Sequence, residues 1–387
     1  MKAVILAAGK STRTYPLTLT RPKALLPLAG TTIIEYILSQ LQPLTDEAII
    51  VVGYKAEMIK EHLGSKYKGI KLTYITQKVQ DGTGGALLAA KGKVKGNFFV
   101  LSGDDLICTE DLKEMLKHKN AILSFETKEH EQFGILKAKG DLLQQIIEKP
   151  KEKISTQGNT SSYLLSDDIF PLIEKQKPST RGEIELTDAV SQCARVHDIH
   201  IVKSSFWMSI GYPWSLIDGQ EALMRAMKAD KSGIIRKGKN VTIKEGVIIE
   251  GKVIIDDDAI LGPHCYIRGS TYIGKGCKIG AFCEVKNSIL MEKATIPHHN
   301  VLGDSIIGEH VNLGAGTIVA NLRHDNGNVK SMVHGSLQDT GRRKFGVVIG
   351  DHAKTGVNTI IYPGRKLWPN TTTLPGEIIK KDVENGG

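Results

Sequence analysis

The sequence predicts an α/β fold, a doubly wound Rossmann-like mixed sheet, followed by a left-handed parallel β-helix. Three observations lead there. Short apolar strands alternate with amphipathic helical segments through the first half, the pattern of a parallel sheet covered by helices. Near Ile234 the apolar period changes to six-residue steps. The opening strand breaks at Gly9 into a loop of small and cationic residues, at the end where such sheets hold ligands.

The strand Ala3 to Ala8 comes first. The periodicity then gives a helix at Ile33 to Leu41, a strand at Glu47 to Val52, a helix at Lys55 to Leu63 and a strand at Ile70 to Tyr74. Phe98 to Leu101 reads as a buried strand, and Phe133-Gly134 with Glu148-Lys149-Pro150 brackets a hairpin. The predicted domains are residues 1–228 and 234–387. In the second, Ile243, Ile249, Ile267, Ile273, Ile279 and Val285 keep the six-residue phase, as do Ile307, Leu313, Ile349, Thr355, Ile361 and Leu367. Each such residue points inward and three hexads close one triangular coil, with Leu322 to Arg343 as an excursion from it.

Composition narrows the function classes. A chain of 387 residues has room for two cores. The net charge of +9 comes from Lys and Arg interspersed with Asp and Glu, without a basic run interleaved with aromatics. This excludes a nucleic-acid binder and suits anionic small molecules. The sequence has no eighteen-residue apolar run and no signal-peptide layout, so we expect no membrane association and a cytoplasmic location. The five cysteines include no CxxC, and Cys265, Cys277 and Cys283 beside His264 match no zinc spacing. They read as buried core thiols.

The opening loop carries the first chemistry. Backbone N–H groups around Gly9, with Lys10 and Arg13, make a cradle for polyphosphate. A second cationic island at Arg21 and Lys23, stiffened by Pro22, is expected to converge on the same triphosphate. In the stretch Gln77 to Leu87, Gly82, Gly84 and Gly85 allow a flat ligand close to the backbone, Thr83 offers a hydroxyl, and the Gln77 amide can read a base edge. Asp104, after a buried strand, is placed to hold Mg2+, with Asp105 as a helix cap.

The string LAAGKSTR, followed by PLT, RPKALLP and Gly30, resembles the signature of the sugar-1-phosphate nucleotidylyltransferases. The resemblance implies a nucleotide site at Leu6, Ala7, Ala8, Gly9, Gln77, Gly82 and Thr83, for UTP or dTTP. Arg13 and Lys23 would be catalytic, Mg2+ would sit on Asp104, and Gly134, Glu148, Lys149 and Asn159 would bind the sugar-1-phosphate. The segment Arg181 to Asp188 resembles the family's GExELTD, and Trp207 to Gly211 its WxDIG. Ser161 stands where glycine is usual. Ser209 stands where a second metal carboxylate is usual, and Asp105 is the candidate replacement.

The segment His298 to Asp304 resembles the HxxYLGD of bifunctional uridylyltransferase/acetyltransferases, with Val301 in place of tyrosine. That resemblance makes His298 a general base and acetyl-CoA a cosubstrate, with Asn312, Ala315, Asn321 and Lys344 in the acetyl-transfer site. Lys366, Lys380 and Lys381 would meet the phosphates of coenzyme A. The β-helix implies a homotrimer. Two other readings fit the residues: a monofunctional transferase with a structural, trimerising tail, and a catalytically idle regulatory subunit.

Overall fold

The computed structural model describes residues 1–179 and 182–384, so Arg181 lies outside the described residues. The chain divides into two units: residues 1–10, 22–25 and 33–209 form the first, and 11–21, 26–32 and 210–387 the second.

The first unit is built on a ten-stranded mixed sheet. Its order is Gly134–Lys139, Leu142–Glu148, His200–Lys203, Ala121–Glu126, Gln157–Ser166, Asn97–Ser102, Lys2–Ala7, Glu47–Val52, Ile70–Thr76 and Lys66–Tyr67. Parallel pairing joins Lys2–Ala7 to both Glu47–Val52 and Asn97–Ser102. The strand order therefore reverses at Lys2–Ala7, and a doubly wound sheet opens its ligand crevice at such a switch point. Helices Ile33–Leu41 and Ala56–Leu63 form where expected, the first with Ile33, Ile34, Ile37, Leu38 and Leu41 on its buried stripe. The hairpin also forms, pairing Gly134 with Glu148. Asp105 caps nothing: it opens the short strand Asp105–Ile107, which pairs antiparallel with Trp207–Ser209.

The second unit stacks short parallel strands. Register runs from Ile248 to Tyr266, Glu284, Val301, Ile318, Ile360 and Ile378, in steps of seventeen or eighteen residues apart from the one that spans the excursion. Ile267, Ile273, Ile279, Val285, Ile307, Leu313, Ile349, Ile361 and Leu367 form one buried column with Cys265, Cys277 and Cys283, all three free thiols. Ile243, at the end of the stack, is exposed. Turning each coil takes a left-handed residue, and Asn240, Asp258, Gly276, Lys293, His310, His352 and Asn370 supply one such corner. The excursion folds back as the hairpin Lys330–Val333 and Ser336–Asp339. Among the described residues no helix is long and apolar enough to cross a membrane.

Candidate active site

In the first unit the two loops at the switch point meet. Leu6 pairs with Ser102 across the sheet, and the Gly103 N–H donates to Leu6 O at 2.9 Å. A Cβ on Gly103 would meet that carbonyl at 2.8 Å, so only glycine lets the two loops run this close. Ala8 O accepts from Tyr54 N and from Gln80 Nε2, each at 3.0 Å. Gln80, which the sequence reading passed over, thus anchors the Ala8 loop. Asp104 follows, a quarter exposed, its carboxylate accepting from Lys23 Nζ and Ser102 Oγ. Asp105 is buried, and that burial, with the neighbouring Asp104 charge, holds its carboxyl above the usual carboxylate range.

Beside them Gly84 and Gly85 of the glycine-rich turn pack on protein. A Cβ on Gly84 would meet the Ile184 side chain at 2.7 Å and one on Gly85 the Asp81 carboxylate at 1.9 Å. Gly84 N donates to Ile184 O at 2.8 Å and Ile184 N to Asp81 O at 2.6 Å, so the turn and the GExELTD segment form one unit. The Thr83 hydroxyl accepts from Leu186 N. Gln77 Nε2 donates to Asp81 Oδ1 at 2.8 Å and Gly82 O at 3.1 Å.

On the other side Gly134 lies against Glu148, since a Cβ there would stand 3.1 Å from Oε1. Lys149 is exposed. Asn159 is buried, donating from Nδ2 to Tyr163 Oη at 2.8 Å and accepting Ser161 N at 2.9 Å. Ser161 takes φ 56°, a left-handed conformation, which explains why glycine is the usual residue there.

The loop Ser11–Arg21 belongs to the second unit. One carbonyl organises it: Ser11 O accepts from Thr14 N at 3.1 Å, Thr14 Oγ1 at 2.7 Å and Thr18 Oγ1 at 2.8 Å. Arg13 is exposed and lies 5.3 Å from the Tyr212 ring centre. Arg21 is not presented to a ligand; it is buried between Glu309 and Asp351, which removes it from the cationic island expected of it.

His298 is exposed at the end of the strand Thr295–His298, with Val301 also exposed and Asn312 on the adjoining rung. Asn321 and Lys344 come together at the base of the excursion, where Leu322 and Lys344 pair. Ala315 lies in the turn after Leu313. Asp304, almost fully buried, gathers Asn321 Nδ2 at 2.7 Å, Asn287 Nδ2 at 3.3 Å, Arg342 at 3.5 Å and Lys286 at 3.7 Å. The sequence reading missed this hub; its signal was an Asp in a segment otherwise built of apolar and small residues. A 570 Å3 cavity opens along the excursion, with Leu322, Tyr362 and Pro363 for walls and Lys330, Arg365 and Lys380 among its cations. Lys366 does not reach it. Burial pushes its ammonium down to about 8, and Nζ donates to Met332 O at 2.6 Å.

A nucleotidyl transferase family model matches residues 2–226. The chain belongs to that family. A GMPPB C-terminal domain model matches residues 249–382. Over its whole length the chain is 37% identical to the bifunctional protein GlmU of Methanocaldococcus jannaschii, covering 96% of that protein. It is 38% identical, again over its whole length, to the bifunctional sugar-1-phosphate nucleotidylyltransferase/acetyltransferase of Sulfurisphaera tokodaii, covering 99% of it. Among solved structures, 60% of the chain superposes on 98% of a chain described as a glucose-1-phosphate thymidylyltransferase from Bacillus anthracis, with 29% identity and a TM-score of 0.54. A UDP-glucose pyrophosphorylase complexed with UDP-glucose matches 58% of the chain and 98% of its own, with 22% identity and a TM-score of 0.53, a likeness of fold.

Proposed function

We propose that the chain transfers a nucleoside monophosphate from UTP or dTTP to a sugar-1-phosphate and acetylates an amino-sugar-1-phosphate with acetyl-CoA. The observation that carries the first activity is the Lys23 ammonium on Asp104, beside two strand ends drawn together by Gly103. This places a cation and a carboxylate at the switch point of a parallel sheet, where phosphates bind.

A phosphate oxygen of the sugar-1-phosphate attacks the α-phosphorus in line; the new P–O bond forms as the α–β bridging bond breaks and pyrophosphate leaves. Lys23 neutralises the α-phosphate, Arg13 the departing pyrophosphate and Lys149 the incoming phosphate. Glu148 and Asn159 hold the sugar, while Gln77 orients the base with Leu6, Ala7, Ala8, Gly9, Gly82 and Thr83 around the nucleotide. Among the described residues no group of three or more His, Cys, Asp or Glu forms a cage. Asp104, with Ser102 beside it, fits an ion that keeps water and phosphate oxygens as its other ligands, as Mg2+ does. When bound, Mg2+ supplies charge neutralisation at the nucleotide phosphates.

For the second activity, the amine attacks the thioester carbonyl of acetyl-CoA, His298 takes its proton, and the thiol of coenzyme A leaves. Asn312, Ala315, Asn321 and Lys344 line that site. The 570 Å3 cavity, with an apolar wall and the cations Lys330 and Lys380, supports a phosphate-bearing cosubstrate. We further assign residues 1–228 and 234–387 to the two activities, a left-handed β-helix to the second, and a cytoplasmic homotrimer to the whole. An exposed row of Val301, Ile318, Ile360 and Ile378 on adjacent strands supports the trimer.

The test is a pyrophosphate-release panel over nucleotides and sugar phosphates, run beside a free-thiol assay with acetyl-CoA. Release with UTP or dTTP and a sugar-1-phosphate supports the first activity, and background release with every pair refutes it. Thiol release abolished by His298→Ala supports the second. No thiol release in the parent leaves a monofunctional transferase.

A further inference from the structure

Resting on the nucleotidyl-transfer reading above, we infer that Arg21 is a positioning residue for that reaction. It locks the loop that carries Arg13 onto Glu309 and Asp351 of the stacked strands.

Within the second unit the loop is held at three places. Arg21, 7% exposed, pairs with both carboxylates, and Asp351 is itself oriented by accepting Glu309 N at 2.8 Å. Those carboxylates follow Ile307-Gly308 and Ile349-Gly350, whose isoleucines pair on neighbouring rungs. At the other end, Thr12 Oγ1 hydrogen-bonds His334 Nε2 at 2.9 Å, from the turn of the excursion hairpin. Between them Arg13 lies over Tyr212, which stacks on Trp214 at 4.5 Å, and Trp214 meets Phe345 edge-on at 6.0 Å. Within the loop, Thr14 and Thr18 are fully buried with their hydroxyls on Ser11 O.

A buried Arg between two carboxylates contributes little net stability over an apolar substitute, and its best-attested use is to fix register. Here the register fixed is that of eleven residues whose exposed cation is Arg13. In-line transfer depends on charge placed to a fraction of an ångström, so a shift of this loop is felt as a loss of turnover.

The experiment uses the full chain with Arg21→Met, Arg21→Lys and the double variant Glu309→Gln/Asp351→Asn. Hydrogen exchange of residues 11–21 and steady-state pyrophosphate release are read together, and circular dichroism selects folded variants. We expect Arg21→Met to lower kcat about a hundredfold with KM for the sugar phosphate unchanged, and to speed exchange across 11–21. Arg21→Lys should recover only part of the loss, because its ammonium reaches one carboxylate and lacks the second arm of the guanidinium. Acetyl transfer should not change in any of the three. Folded Arg21→Met with parental kcat, or with parental loop exchange, overturns the inference while leaving the reaction intact. If the parent releases no pyrophosphate, the reading of the reaction falls. The positioning role then falls with it.

Discussion

Thr83 Oγ1 accepts the backbone N–H of Leu186 at 3.1 Å, so the glycine-rich turn caps a helix whose own preceding residue, Glu185, makes no side-chain cap. That hydroxyl is a structural acceptor. Thr83→Val should cost about 1 kcal/mol, the usual worth of a helix cap, seen as a lower urea midpoint of the first unit's transition.

Asp104 and Lys23 neutralise each other within a partly screened crevice. Asp104→Asn removes the proposed cation ligand and leaves Lys23 unbalanced. Pyrophosphate release should fall by about two to three orders of magnitude, as for loss of one electrostatic contact in a preorganised site, with the circular dichroism spectrum unchanged.

Ser209 pairs directly with Asp105 across two short strands. Ser209→Asp adds a carboxylate where relatives of the signature carry one. The Mg2+ concentration for half-maximal pyrophosphate release should drop on the order of tenfold, since Mg2+ affinity follows ligand charge. An unchanged titration would remove Ser209 from the metal's surroundings.

Lys366 is 2% exposed, and its ammonium is lowered from 10.5 to about 8 by desolvation. The unfolded chain binds the extra proton between these values, so stability rises with pH across that window and the penalty is fully present below pH 8. The gain is at most about 3 kcal/mol. Urea midpoints measured from pH 7.5 to 10.5 should climb in the parent and stay flat at this site in Lys366→Met.

Ile360 lies mid-row among Val301, Ile318 and Ile378. Ile360→Asp should convert the proposed trimer to monomer by light scattering, because a desolvated carboxylate on an apolar contact is costly.

What the sequence discloses depends on range. Ile33–Leu41 and Glu47–Val52 form with the bounds read from periodicity, and Ile267 to Leu367 point inward as the six-residue step demands, because burial imprints a local period. The function of Arg21 was illegible, since its carboxylates lie far along the chain and nothing local marks an Arg as buried. Gly84 and Gly85 show the same limit: small residues announce close approach but do not say whether ligand or protein approaches, and here Ile184 and Asp81 do. Lys366 misled for its charge alone, as a long stem can carry an ammonium into a core when a carbonyl receives it.

The strand ladder passes from Ile318 straight to Ile360 and from Ile307 straight to Ile349, with the hairpin budding out between. The parallel register of the column is therefore continuous beneath the hairpin. Foreign sequence spliced near Asn326-Gly327 would leave that ladder intact and lengthen the rim of the cavity proposed for the cosubstrate.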